Sequence, residues 1–160
     1  MILSDVKIFK NSSFQDNRGE LWTVWNKNEF KPELSFNHDK VAVSKRHVLR
    51  GIHGDFKSWK LITCLAGEIF LVIVDPKTLE HMSLVLSQEN KTTVLVPPGL
   101  GNGHLVLSNE AVFFYKWSYD GDYPDVEDQF SLKWNDPKLD INWPISLPIL
   151  SSRDQNAKLL

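Results

Sequence analysis

Residues 59–75 read WKLITCLAGEIFLVIVD, two runs rich in β-branched and apolar residues broken only by Ala66-Gly67. Each run is too short for a stable helix and has the composition of a strand, so the stretch predicts strands over residues 59–65 and 69–75. The same texture continues on either side. Further strands are expected over residues 21–25, 40–44, 82–86, 92–96, 104–107 and 112–117, with Pro97-Pro98-Gly99 as another turn. A spacing of about ten residues between runs is typical of a β-sandwich or barrel. Helical periodicity is scarce, and the best helical candidate is the tail after Ser151, where Ser151 and Asp154 have capping-box spacing. Eight or more strands must manage their edges, and a jelly roll does so while leaving a mouth for a ligand. The expected class is therefore all-β, a jelly-roll barrel or sandwich with few short helices.

The 160 residues, 42% hydrophobic and 24% charged, suit one globular domain over residues 1–160. No repeat, low-complexity tract or long linker divides them, and no apolar run approaches a membrane span. The net charge of −2 argues against nucleic acid or an anionic membrane as partner, and a phosphate ligand would need a local basic pocket. The single cysteine, Cys64, excludes an intrachain disulfide. The opening MILSDVKIFK lacks the features of a secretory signal, so the expected location is the cytoplasm.

Five segments could carry chemistry. In Arg50-Gly51-Ile52-His53-Gly54-Asp55, glycines let the backbone bend around a histidine. That imidazole is either a loop residue that merely hydrogen-bonds or a base at neutral pH. Arg50 makes either a surface ion pair or a bidentate grip on a phosphate or sugar oxygen. Lys60 interrupts an apolar strand, so it either snorkels to water or enters a cavity, where it would stabilise an oxyanion. Tyr115 alternates with Phe113 and Trp117 and is a core residue or a general acid, while Tyr119 and Tyr123 suit stacking on a sugar or base. Asp154 caps a helix or folds back to orient a base. His104, after the proline-glycine turn, fits an ordinary strand histidine.

Taken in order, Phe14-Gln15-Asp16-Asn17-Arg18-Gly19-Glu20, Leu49-Arg50-Gly51-Ile52-His53, Lys60-Leu61, Gly67-Glu68-Ile69-Phe70, Pro97-Pro98-Gly99, Tyr115-Lys116, Trp134-Asn135-Asp136-Pro137 and Ser151-Ser152-Arg153-Asp154 resemble the dTDP-4-dehydrorhamnose 3,5-epimerase family of cupin-type jelly rolls. The resemblance covers nearly the whole chain. It implies a nucleoside-diphosphate 4-keto-6-deoxy sugar as substrate, inversion at C3, C5 or both, and no cofactor. It also implies a homodimer that exchanges N-terminal strands. By the resemblance, His53 matches the base, Asp154 the carboxylate that holds it, Lys60 the group beside the keto oxygen and Tyr115 the acid on the opposite face. Arg50, Arg18 and Glu20 match substrate-binding positions, Arg18 often serving the partner's site, and Asn102, His104 and Tyr119 fall beside them. The chemistry is coherent in itself. A C4 ketone acidifies the hydrogens on C3 and C5, and a cation aimed at the enolate oxygen lowers the barrier by about 3–4 kcal/mol.

Three residues, at two places, depart from the family's usual pattern. Gly54-Asp55 follows the histidine where an aromatic and a glutamine are usual, and Asn102 stands where the turn usually carries a histidine. Asn102 also removes a ligand position of metal-binding cupins, and His53 lacks a second histidine two residues on, so no metal is expected. With Asp128-Gln129-Phe130, these departures resemble a subgroup acting on GDP-linked 4-keto-6-deoxy-heptoses in capsular polysaccharide synthesis. Two other functions share the fold: a sugar 3,4-ketoisomerase, which begins with the same proton abstraction, and a non-catalytic nucleotide-sugar-binding module.

Overall fold

The computed structural model describes residues 2–28 and 34–160. Twelve strands are formed there: β1 (Lys7–Lys10), β2 (Ser13–Asp16), β3 (Gly19–Trp22), β4 (His38–Lys45), β5 (Leu49–Gly54), β6 (Trp59–Ala66), β7 (Glu68–Val74), β8 (His81–Ser87), β9 (Thr92–Val96), β10 (Gly101–Val106), β11 (Glu110–Ser118) and β12 (Phe130–Ser131). The one α-helix among the described residues, α1 (Ser152–Gln155), is a single turn. One five-stranded sheet runs β1-β9-β6-β11-β4 and a second runs β12-β5-β10-β7-β8, while β2 and β3 form a separate ribbon. All pairings between these strands are antiparallel. The two sheets face each other as a jelly-roll sandwich.

Period-two alternation decides what lies between the sheets. Ile62 and Cys64 of β6, Ile69, Leu71 and Ile73 of β7, Val94 and Val96 of β9, and Phe113 of β11 meet in the inner core. Each buried Ile or Leu side chain contributes about 1.5–3 kcal/mol from lost water contact. The back of the second sheet is covered by the C-terminal segment, whose Leu132, Leu139 and Trp143 pack on Leu49, Ile52, Val72 and Val74. That covering also places the tail. Leu49 donates its N–H to Ile149 (3.0 Å) and Ile149 donates to His47 (2.8 Å), so residues 147–150 run beside the start of β5 and deliver α1 to the end of it.

The strand expected over residues 21–25 lies earlier, as β3, and ends at Trp22. It pairs with β2 across a turn in which Asp16 Oδ1 accepts the Arg18 N–H at 2.8 Å. The histidine segment is strand β5, not the tight bend its glycines suggest, because those glycines serve close approach instead. A Cβ on Gly51, whose φ is +115°, would sit 2.6 Å from Gly103 Cα and 2.7 Å from the Asn102 carbonyl oxygen of the neighbouring β10. Strand propensity, which penalises glycine, hides such a strand. Among the described residues no helix is long and apolar enough to cross a membrane.

Candidate active site

A cavity of about 250 Å³ opens between the two sheets. From the first sheet, β11 turns Phe113, Tyr115 and Trp117 inward, flanked in register by Cys64, Ile62 and Lys60 of β6 and by Ala42, Lys40 and His38 of β4. From the second sheet, β5 brings Arg50 and His53 and β10 brings Asn102 and His104, with His53 opposite Asn102 and Arg50 opposite His104. Residues 123–129 and 151–154 close the rim.

His53 meets Asp154 there, Nε2 to Oδ1, at 2.7 Å. The contact follows from the tail's docking. Ser151 caps α1 by accepting the Asp154 N–H (3.2 Å) and donates its own hydroxyl to Asp154 Oδ2 (2.9 Å). Ser151, not Asp154, is thus the cap, and the Asp154 carboxylate folds back to His53. Asp154 is 3% exposed. Burial raises its pKa, but the bond and charge of His53, the Ser151 hydroxyl and the Gly51 N–H outweigh burial and leave it below the ordinary carboxylate value. An ionised carboxylate only accepts, so the proton between them sits on His53 Nε2. In the neutral ring, Nδ1 is then the nitrogen that carries the lone pair.

Across the cavity, Tyr115 has its pKa pushed up to about 12, chiefly by burial and further by nearby Tyr123, with Arg50 opposing. Its hydroxyl keeps its proton throughout the neutral range and is chemically an acid. Lys60 is 5% exposed and does not snorkel. Its Nζ lies 3.1 Å from Asp55 Oδ2 and 4.5 Å from the centre of the Trp117 ring. Burial lowers the Lys60 pKa, and Arg153 and Lys40 lower it further, while Asp55 opposes them.

Of the residues singled out in the sequence, His53, Asp154, Lys60, Tyr115, Arg50, Asn102 and His104 all line this cavity. Arg50 donates to Ser44 Oγ at 3.0 Å. His104 stacks on Phe113 with ring centres 4.0 Å apart, and burial, aided by Arg50, drives its pKa down to about 3. It is a neutral core imidazole whose Nε2 has no partner. Tyr119, Arg18 and Glu20 lie elsewhere. Tyr119 stands behind Tyr123 with its hydroxyl 3.2 Å from His38 Nδ1. Arg18 and Glu20 ride on the β2–β3 ribbon, Arg18 paired with its own Asp16 and Glu20 with Lys91 at 2.8 Å. The hairpin is joined to neither five-stranded sheet, which carries both residues away from this chain's cavity.

Residue-by-residue reading missed Lys40, whose ammonium donates to the Tyr123 hydroxyl and lies 4.2 Å from the centre of that ring. A signal was available. Along β4 the residues His38, Lys40, Ala42 and Ser44 share one face and Val41 and Val43 the other, with the valines exposed. A strand that turns polar groups inward and apolar ones outward marks a wet cavity. Arg153 was also passed over as a cavity cation. It donates to Ser131 Oγ at 3.0 Å and reaches Gln129 Oε1 at 3.4 Å, beside His53. Lys40, Arg50, Lys60 and Arg153 make the local basic pocket that a diphosphate requires despite the negative net charge. Among the described residues no three His, Cys, Asp or Glu side chains are grouped so as to hold a metal ion.

A carboxylate-held histidine and a proton-bearing tyrosine, facing each other across the mouth of a cupin-type jelly roll, are the furniture of a carbohydrate epimerase. Comparison with known proteins narrows the class. The family model for dTDP-4-dehydrorhamnose 3,5-epimerase matches residues 1–160, and the chain belongs to that family of isomerases. The dTDP-4-dehydrorhamnose 3,5-epimerase of Salmonella typhimurium is 35% identical over 99% of this chain and 92% of its own length. Among solved structures, the dTDP-6-deoxy-D-glucose-3,5-epimerase of Legionella pneumophila, in complex with dTDP-4-keto-L-rhamnose, superposes with a TM-score of 0.90 at 33% identity, covering 99% of this chain and 89% of that one. The 3'-monoepimerase ChmJ of Streptomyces bikiniensis, in complex with dTDP-quinovose, gives 0.86 at 29% identity over 96% of this chain and 83% of its own.

Proposed function

We propose that this chain inverts C3, C5 or both in a nucleoside-diphosphate 4-keto-6-deoxy sugar, in the cytoplasm and without a cofactor. The observation that carries the reading is the 2.7 Å contact between His53 and the buried Asp154 at the cavity, opposite Tyr115. In the mechanism, His53 Nδ1 removes the hydrogen on carbon next to the C4 ketone, and the electron pair moves onto the C4 oxygen as an enolate. Asp154 stabilises the imidazolium that forms, and Lys60 stabilises the enolate oxygen. Tyr115 then returns a proton to the same carbon from the other face, which inverts it. Arg50, Arg153 and Lys40 offer charge for the diphosphate.

For the substrate we favour a GDP-linked 4-keto-6-deoxy-heptose. Support comes from the residues that carry the subgroup resemblance, since Asn102 and Gln129 line the cavity and Asp55 pairs with Lys60 at its wall. A dTDP-linked hexose is the competing reading, favoured by the names of the relatives. We further propose a homodimer in which the β2–β3 ribbon brings Arg18 and Glu20 to the partner's cavity. Phe14 and Leu21 on that ribbon, and Val41 and Val43 on the outer face of β4, are exposed apolar side chains that an interface would cover.

The test is incubation in deuterated buffer with GDP- and dTDP-linked 4-keto-6-deoxy sugars, counting deuterons by mass spectrometry. One or two deuterons with inverted product are expected on the GDP-heptose, and none with His53→Asn. Exchange on no substrate by the wild-type protein refutes the reaction, a 3-keto product converts the reading to ketoisomerase, and preference for dTDP-hexose refutes the heptose assignment.

A further inference from the structure

We propose that Asp55 is a positioning residue of the reaction: its carboxylate holds the Lys60 ammonium at the cavity wall, charged and aimed, for the moment a substrate oxygen becomes an anion. The inference rests on the epimerase reading above. It begins from a buried pair, Asp55 at 2% and Lys60 at 5% exposure, with Nζ 3.1 Å from Oδ2. Asp55 itself is fixed. Its Oδ1 accepts the N–H groups of Lys57 (2.9 Å) and Ser58 (2.6 Å), and its backbone oxygen accepts the N–H of Gly99 (2.7 Å) in the proline-glycine turn. One oxygen is thus spent on the β5–β6 turn and the other is left for the lysine.

The placement has a mechanistic sense. Asp55 lies two residues beyond His53, so one segment bears both the group that takes the proton and the group that holds the cation. Groups facing Lys60 from every side are Asp55, the cations Arg153 of α1 and Lys40 of β4, and the ring of Trp117 on β11. Burial and the two cations favour the neutral amine, and a neutral amine does not stabilise an enolate. Asp55 is the acidic group set against them. As a device for stability alone, such a pair is a poor choice, since desolvation offsets most of its attraction.

Asp55→Asn keeps an Oδ1 for the two turn N–H groups, removes the charge and sets an NH2 donor in place of the Oδ2 that faces Lys60. With ε-13C-lysine labelling, and Lys60 assigned through Lys60→Arg, the NMR titration midpoint of Lys60 should fall by about 1–3 pH units in the variant. The alkaline limb of kcat should fall with it, KM changing little. In a Lys60→Met background, Asp55→Asn should cost nothing more. An unchanged Lys60 titration overturns the proposal, and so does a loss of activity that leaves the pH profile in place, because that is what a purely structural aspartate would give. The titration needs no substrate, so it decides the matter even if the wild-type protein epimerises nothing, an outcome that would sink the reaction and not the pairing. Should the variant fail to fold, the wild-type Lys60 ammonium 1H–15N signal carries the test: it should persist at pH 8, and its absence overturns the pairing.

Discussion

Replacing Asp154 with asparagine tests the site where its geometry is most specific. In the proposed step His53 becomes an imidazolium 2.7 Å from this buried carboxylate. A hydrogen bond between charged partners is worth about 1.5–3 kcal/mol, so loss of the charge alone lowers kcat about 10- to 150-fold at 1.36 kcal/mol per decade. The structure adds a second cost. The Ser151 hydroxyl donates to Oδ2, so an asparagine that keeps this bond places its carbonyl oxygen there and its NH2 toward His53 Nε2. Nε2 must then accept, the ring proton moves to Nδ1, and the proposed base has no lone pair. Together the losses approach the ~10⁴-fold seen when a comparable carboxylate is made an amide and the wrong tautomer results. Adding Ser151→Ala frees the amide to turn and should recover about tenfold of that loss. Solvent deuterium uptake and kcat, with circular dichroism to confirm folding, measure all three proteins. Uptake by Asp154→Asn within about threefold of wild type would refute the tautomer argument and the role of the pair.

Tyr115→Phe should leave hydrogen exchange on the base side in place while inversion falls about 10²–10⁴-fold, read by comparing washout of a substrate tritium with product NMR. His104 gives a pH effect of definite sign. Its folded pKa of about 3 lies below the ordinary 6.5, so the unfolded chain binds a proton the fold excludes, and each pH unit below 6.5 costs about 1.4 kcal/mol until about pH 3. Urea midpoints should therefore rise from acid pH and level off above 6.5, and His104→Phe should flatten this segment of the curve. Gly51→Ala should lose more than about 3 kcal/mol, because a Cβ there meets backbone on both contacts and φ is +115°. Thermal unfolding would show it, and an unchanged midpoint would mean β5 and β10 are not so closely apposed.

Much of the sheet framework is legible in composition. Runs such as residues 69–75 and 112–117 carry their β-branched and aromatic residues whatever surrounds them, and they became β7 and β11. Strand β5 is not legible, because Gly51 and Gly54 lower its propensity and only the nearness of β10 and Phe130 explains them. The ribbon residues Arg18 and Glu20 show the same limit from the other side. Their motif is readable, but their distance from this chain's cavity depends on where the hairpin stands.

The amino-acid sequence by itself determined an all-β chain, the shared face of Phe113, Tyr115 and Trp117, and a histidine set among glycines, since alternation and turn chemistry are local. Tertiary structure alone decided that Asp154 lies 2.7 Å from His53, 101 residues away along the chain, and that Lys60 faces Asp55 and not solvent. No local periodicity encodes such contacts. They exist because the apolar side chains within residues 132–150 cover the back of one sheet and carry the tail to β5, and the closing sheets remove the water that would otherwise separate the charges.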